Sequence, residues 1–114
     1  MPKAVPAPGA RLGEVEQLVL LGLLRLDREA YAVPLRELIA KEARVEFSRA
    51  TIYITLDRLE QKGLLESYFS APTGEPGGKA RRMFRLRPAG LVALKAVRQA
   101  ADRLAAGTLL ARRS

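Results

Sequence analysis

SRATIYITLDRLEQKGLLESYFS, residues 48–70, decides the fold. Ser48 suits a helix N-cap, because its hydroxyl oxygen can accept from an unpaired N–H of the first turn. Ile52, Leu56 and Leu59 then recur at spacings of four and three, which places them on one face of a helix. Gly63 stands where a left-handed C-cap residue is expected. Leu65–Ser70 follows as a strand-like run. A capped helix that turns through glycine into a strand is the centre from which the rest of the chain is read.

Downstream, residues 71–80 read APTGEPGGKA. Pro72, Gly74, Pro76, Gly77 and Gly78 make this a loop. A second strand-like run, Arg81–Leu86, comes next. Phe84 and Leu86 share a parity and are expected to face the core, with Arg85 and Arg87 toward solvent. Two strands joined by a long glycine-rich loop form a wing. Pro88 opens a final helix. Along it Leu91, Leu94, Val97, Ala101 and Leu104 form an apolar stripe, and Gly107 marks where the helix ends or frays.

Upstream, residues 1–11 hold Pro2, Pro6 and Pro8 and read as a flexible arm. A first helix is expected from Glu14 to about Leu26, with Glu14 and Glu16 in the turn where negative charge suits the helix dipole. Its second half, LVLLGLLRL, is apolar almost all round, so it is buried on more than one side. DREAYA reads as a turn. A second helix starts with Pro34 at its first position, carries Leu35, Leu38 and Ile39 inward, and ends near Arg44. Val45, Glu46 and Phe47 are expected as a very short strand. The order is helix, helix, helix, strand, wing, strand, helix. This predicts a mainly α fold with a small β-hairpin: a winged helix-turn-helix plus a C-terminal dimerisation helix. The expected division is an arm over 1–11, a winged DNA-binding unit over 12–87, the last helix over 88–110 and a basic tail over 111–114.

Composition narrows the function. The chain has 114 residues, which suits one domain, and contains neither cysteine nor histidine. That excludes disulfides and thiolate ligands and removes the commonest general base and metal ligand. No phosphate-binding glycine loop and no clear carboxylate dyad is present, so no cofactor, no metal and no enzymatic activity are expected. The N-terminus lacks a signal peptide's apolar run, and the longest apolar stretch, near Leu18–Leu24, is far shorter than a membrane span. A soluble cytoplasmic protein is expected. The net charge is +8. Residues 1–78 hold ten Lys or Arg against eleven Asp or Glu, whereas residues 79–114 hold ten against Asp102 alone. A basic last third points to a polyanionic partner.

The candidate contacts sit on the third helix and the wing. With Ile52, Leu56 and Leu59 inward, Ala50, Ile54 and Asp57 lie opposite the core, Arg49 and Tyr53 on one flank, Thr51 and Arg58 on the other. Arg49 can bond a guanine edge or a phosphate, Thr51 a base or a phosphate, and Tyr53 a phosphate. Ser48 can offer a backbone N–H to phosphate, although capping alone explains it. Tyr53 equally reads as a boundary core residue, and Arg58 as a partner for acids on its own helix. Asp57 would repel phosphate and is expected off the groove floor or paired with an arginine. On the wing, Lys79, Arg81 and Arg82 suit phosphate or minor-groove contact. The alternatives are a winged helix used for protein contact and a protein that coats DNA without sequence preference through its basic tail.

Across residues 48–67 the chain resembles the PadR family of transcriptional regulators. The resemblance is carried by the pair Ile52–Tyr53, the run Arg58–Leu59–Glu60 and Gly63. LGEVEQLVLLGLLRL resembles the family's first helix, AYAVPLRELI its second with Tyr31 ahead of it, and PTGEPGGKARRMFRLRPAGLVAL its wing and last helix. Together these pieces span about residues 12–95. The chain departs from the pattern at Ala32 and Ala50, where relatives often have glycine. It departs again at Phe84–Arg85–Leu86–Arg87, where a threonine that would cap the last helix is replaced. The resemblance implies the short subgroup of the family. It implies a homodimer held by Leu18 and Leu21 of the first helix and by Leu91, Leu94, Val97, Ala101 and Leu104 of the last. It further implies a palindromic operator on double-stranded DNA, usually under repression, with half-sites about one turn apart. Some relatives respond to planar drug-like molecules. This chain has no tryptophan to stack such a ligand, and no effector is assigned.

Overall fold

A computed structural model describes residues 12–71 and 78–111. The elements run α1 (Glu14–Arg25), β1 (Glu29–Ala30), α2 (Ala32–Ala43), α3 (Arg49–Gln61), β2 (Leu65–Phe69), β3 (Arg82–Leu86) and α4 (Pro88–Ala105). The three strands form one antiparallel sheet in the order β1-β3-β2. Three helices and this small sheet make the winged helix-turn-helix that the element order predicts. The expected arm over 1–11, the wing tip over 72–77 and all but Ala111 of the tail lie outside the described residues.

α1 is the axis of the fold. Val19, Leu20 and Leu23 are fully shielded from water, and α2, α3, α4, β1 and β3 all pack on this one helix. Each completely buried leucine is worth roughly 1.5–3 kcal/mol. The other core members follow the expected periodicities. Leu35 and Ile39 come from α2, Ile52, Leu56 and Leu59 from α3, Leu65 from β2, and Phe84 and Leu86 from β3. Glu16 on α1 is a buried charge with its partners at hand. Its carboxylate accepts from the Gly13 N–H at 2.8 Å and from Lys62 Nζ at 2.7 and 2.9 Å, so it caps α1 and fastens the end of α3 to it.

Several boundaries differ from the sequence reading. The strand expected over Val45–Phe47 is absent, because that segment is an irregular turn. Arg44 ends α2 in the left-handed region, and Arg36 Nε donates to the Phe47 carbonyl at 2.7 Å. The third strand lies inside the expected DREAYA turn instead. Asp27 and Arg28 adopt φ of 59° and 74°, which swings the chain back and sets Glu29 opposite Arg85 and Ala30 opposite Phe84. The Arg28 carbonyl accepts from the Leu86 N–H at 2.8 Å. α2 begins at Ala32, so Pro34 occupies the third helical position, still within the turn whose N–H groups lack intrahelical partners. α4 ends at Ala105, just before Gly107, which takes φ of 82° where the sequence expects the helix to end, so residues 106–110 of the expected 88–110 unit are not helical. Its cap residue Arg87 makes no side-chain cap bond, as the replaced threonine foretells.

The first half of α4 belongs to the core and is not a detached appendage. Gly90, Ala93 and Leu94 are buried. Gly90 is required there: an added Cβ would lie 2.4 Å from the Leu64 carbonyl oxygen and 2.7 Å from Leu86 Cδ1. Gly90→Ala is therefore expected to push α4 off the sheet and to destabilise the protein by about 1–3 kcal/mol. Urea unfolding checks this. An unchanged midpoint would mean that α4 is not seated as described.

Candidate nucleic-acid interface

α3 is exposed along the side opposite its core face, and the wing strands rise beside it. Ser48 caps the helix: its Oγ accepts from the Thr51 N–H at 3.0 Å and donates to Thr51 Oγ1 at 2.9 Å. The two hydroxyls are thus joined to each other at the helix start. Thr55 returns its hydroxyl proton to the Thr51 carbonyl at 2.7 Å and is buried. Among the described residues no buried side-chain polar atom is left without a partner.

Arg49 and Tyr53 lie together on one flank. They line a hollow of about 270 Å³ with Ala32, Val33, Arg36, Glu37 and Ile52, between the starts of α2 and α3. Tyr53 is 39% exposed, which places it at the surface and not within the core. Arg58 lies on the other flank, beside Thr51 and Ile54 and facing the first turn of α1. Neither Arg49 nor Arg58 is ion-paired among the described residues. The alternative reading of Arg58, a pair with acids of its own helix, is not formed among the described residues.

The wing cations divide into two kinds. Lys79 is exposed. Arg81 lies over the Tyr31 ring, 4.5 Å from its centroid, so the root of the wing rests on the start of α2. Its charge stays at the surface while the stacking orients it. Arg82 is different. Its Nη2 meets Asp57 Oδ1 at 3.0 Å and Glu60 Oε1 at 2.8 Å, and its guanidinium covers the Phe84 ring at 4.7 Å. Arg82 is a strut between β3 and α3, and this pairing withdraws Asp57 from the exposed line of the helix. The expected pairing of Asp57 with an arginine is present, and it occupies a residue that the sequence reading assigns to DNA.

A second strut spans the sheet. Arg85 bonds Glu29 at 2.9 Å and Glu66 at 3.2 Å, and the Tyr68 hydroxyl donates to Glu29. The bond from Tyr68 and then that from Arg85 hold the Glu29 carboxyl below the usual carboxylate range, and the same contact raises the Tyr68 phenol. Glu60 is held low first by the Ser67 hydroxyl and then by Arg82. Sequence patterns missed these cross-strand partners. The shared parity of Glu66 and Tyr68 on β2 and the position of Arg85 on β3 mark a polar outer face but not its pairing, and Arg82 shares the inner parity of Phe84.

The expected dimer residues are dispersed. Leu94 is 2% exposed and belongs to the core of its own chain, so it has no surface to offer a partner. Leu91 and Val97 are half-buried, Ala101 is exposed, and Leu104 is 84% exposed. Leu18 and Leu21 line an open apolar groove of about 340 Å³ between α1 and α2, with Leu24, Leu38 and Ile39, and with Arg25 and Glu42 at its rim.

The chain is similar to known regulators. The model of the "Transcriptional regulator PadR-like family" matches residues 20–96. A PadR family transcriptional regulator from Eggerthella lenta is 30% identical, with a TM-score of 0.65 over 82% of this chain and 81% of that one. A PadR family transcription regulator from Clostridium difficile gives a TM-score of 0.69 at 23% identity, over 81% and 91% of the two chains. F93 from STIV, described as a winged-helix DNA-binding protein, gives 0.65 at 16% identity, over 81% and 91%. No curated protein matches the chain.

The Glu60 strut has a measurable consequence. A carboxyl whose folded value is depressed contributes stability that is complete above its unfolded value, about 4.3, and is lost as pH falls through the folded one. The urea midpoint should therefore decline as the solution is acidified below about pH 4.5. Glu60→Gln should flatten that decline by an amount of order 1 kcal/mol or less, since the pair is half-exposed. Identical acid limbs would remove Glu60 from the list of stabilising groups.

Proposed function

This chain belongs to the PadR-like family of transcriptional regulators, and from that premise we propose that it is a repressor, a cytoplasmic homodimer that grips a palindromic operator with one α3 in each of two neighbouring major grooves. The observation that carries the reading is the free basic flanking of an exposed helix: Arg49 and Arg58 on either side of α3, each without an acidic partner among the described residues. A helix about 10–12 Å across fits the major groove, and arginines on its flanks reach base edges or the phosphates that border it. Lys79 and Arg81 on the wing root extend the positive surface toward the adjacent backbone. The dimer is supported by leftover apolar surface. The Leu18–Leu21–Leu24 groove and the exposed Leu104, Leu109 and Leu110 are surfaces that a second copy would cover.

Fragmented DNA from the source genome, captured on the protein at about 150 mM salt, tests the reading, because non-specific binding is weak there. A few enriched fragments sharing an inverted repeat are expected. A smooth background would favour DNA coating through the basic C-terminal third, and no recovered DNA would favour a protein-contact module. On an enriched fragment, Arg49→Ala should reduce the preference for operator over random DNA by roughly tenfold, the worth of a lost bidentate base contact, and Tyr53→Ala, which loses a contact that sets the register of α3, should reduce it by less. If neither does, α3 is not the reading element.

Sedimentation tests the assembly. The expected result is a dimer at micromolar concentration, shifted toward monomer by Leu104→Asp, which alters an exposed side chain and leaves the core intact. A wild-type monomer would defeat the paired half-site arrangement.

A further inference from the structure

The outermost line of α3 is apolar where a groove-reading helix would ordinarily carry hydrogen-bonding groups. Ile54 sits near the middle of the helix, opposite the core face, and is 52% exposed. It is the most exposed large apolar side chain on α3. One turn toward the N-terminus the same line holds exposed Ala50, which also lacks a polar atom. One turn toward the C-terminus it holds Asp57, whose carboxylate is taken by Arg82 at 3.0 Å. The first two turns of this line therefore present methyl groups and no side-chain donor or acceptor. The polar and charged groups, Arg49, Tyr53 and Arg58, stand on the flanks.

We infer that Ile54, with Ala50 beside it, reads the 5-methyl group of a thymine on the floor of the major groove. The inference rests on the DNA-binding reading above and adds a specificity element to it. The groove floor offers one apolar feature, the thymine C5-methyl, among the amino, carbonyl and ring-nitrogen groups of the other bases. Set against guanine or the cytosine amino group, a branched aliphatic side chain strips water from polar atoms and gives no hydrogen bond in return, which is unfavourable. Set against a thymine methyl, it buries apolar surface on both sides. The flanking cations choose the occupant of this apolar line. A protein partner meeting Ile54 would have to cover unpaired Arg49 and Arg58 as well, whereas the phosphates bordering a major groove accept both. Arg49 and Arg58 then set the depth and register of the helix, and Ile54 selects thymine at one position of each half-site.

Single-methyl editing of the DNA is the test. The operator duplex recovered by genomic capture is resynthesised with deoxyuridine replacing thymidine at one symmetric pair of positions at a time, which removes the methyl and keeps the base pairing. One pair should weaken wild-type binding by about fourfold per half-site, the worth of one buried methyl-sized group, or about fifteenfold for both. Ile54→Ala should bind the thymine and uracil versions of that pair equally, while Ile54→Val keeps most of the difference. Circular dichroism should show all three proteins equally folded, since Ile54 is outside the core. Two results overturn the inference while leaving operator binding intact: no position sensitive to the methyl, or a sensitive position whose thymine-to-uracil ratio survives Ile54→Ala. Failure to recover any operator overturns the DNA-binding reading and this inference with it.

Discussion

The burial of α1 is the constraint on which the rest depends. A helix with Val19, Leu20 and Leu23 wholly shielded from water must be covered from several directions. In so small a chain nearly every other element is recruited to do it. α2, α3, β1, β3 and α4 all pack against α1. Gly22 marks a close approach of α1 to α2, and Gly90 one of α4 to Leu64 and Leu86. A Cβ on Gly22 would lie 2.6 Å from Leu35 Cδ1, so the Leu35 side chain of α2 occupies the space that the glycine leaves on α1. The position of α3 follows from this coverage. Its core face is set by Ile52, Leu56 and Leu59, and its outer face is what remains.

Electrostatics then fix how rigidly that outer face is held. Lys62–Glu16 ties the end of α3 to the start of α1, and Arg82–Asp57–Glu60 ties its middle to the wing strand. The Arg82 pairs, partly exposed, add little stability singly. Their value is geometric, because each bonds an element whose angle determines where Arg49, Tyr53 and Ile54 point. The Arg81–Tyr31 stack does the same for the root of the wing. The role proposed for α3 requires such a supporting shell, because recognition depends on placement to within a fraction of an ångström.

Much of this was legible in the sequence because it follows from periodicity and caps. Ile52, Leu56 and Leu59 repeat at helical spacing, Ser48 caps, Gly63 turns with φ of 78°, and Phe84 and Leu86 alternate inward. What was not legible depends on long-range geometry. β1 is two residues long and exists because Asp27 and Arg28 take left-handed conformations that non-glycine residues rarely adopt. Nothing in DREAYA announces that. Conversely, Val45–Phe47 has strand-like residues but pairs with no strand, and its Phe47 carbonyl is held by Arg36 of α2 instead. Leu94 fits the apolar stripe of α4, but the stripe is shared between the chain's own core and its surface, and spacing alone cannot divide it. Arg82 resembles any other wing cation until Asp57 and Glu60 are seen beside it.

The charge asymmetry shows the same limit from another side. The excess positive charge lies wholly in residues 79–114, and it pointed to a polyanionic partner. Yet Arg82 and Arg85 of that region are engaged in internal ion pairs, and Arg98 and Arg103 lie along α4. The cations on the exposed face of α3, Arg49 and Arg58, come from the first part of the chain, whose charge nearly balances. Bulk charge and local contact are therefore separate properties here. The first governs attraction at a distance and falls with salt. The second depends on which cations the fold leaves unpaired. Under the proposed function, loss of charge at the C-terminal end would change the association rate, while the preference among sequences would stay with α3.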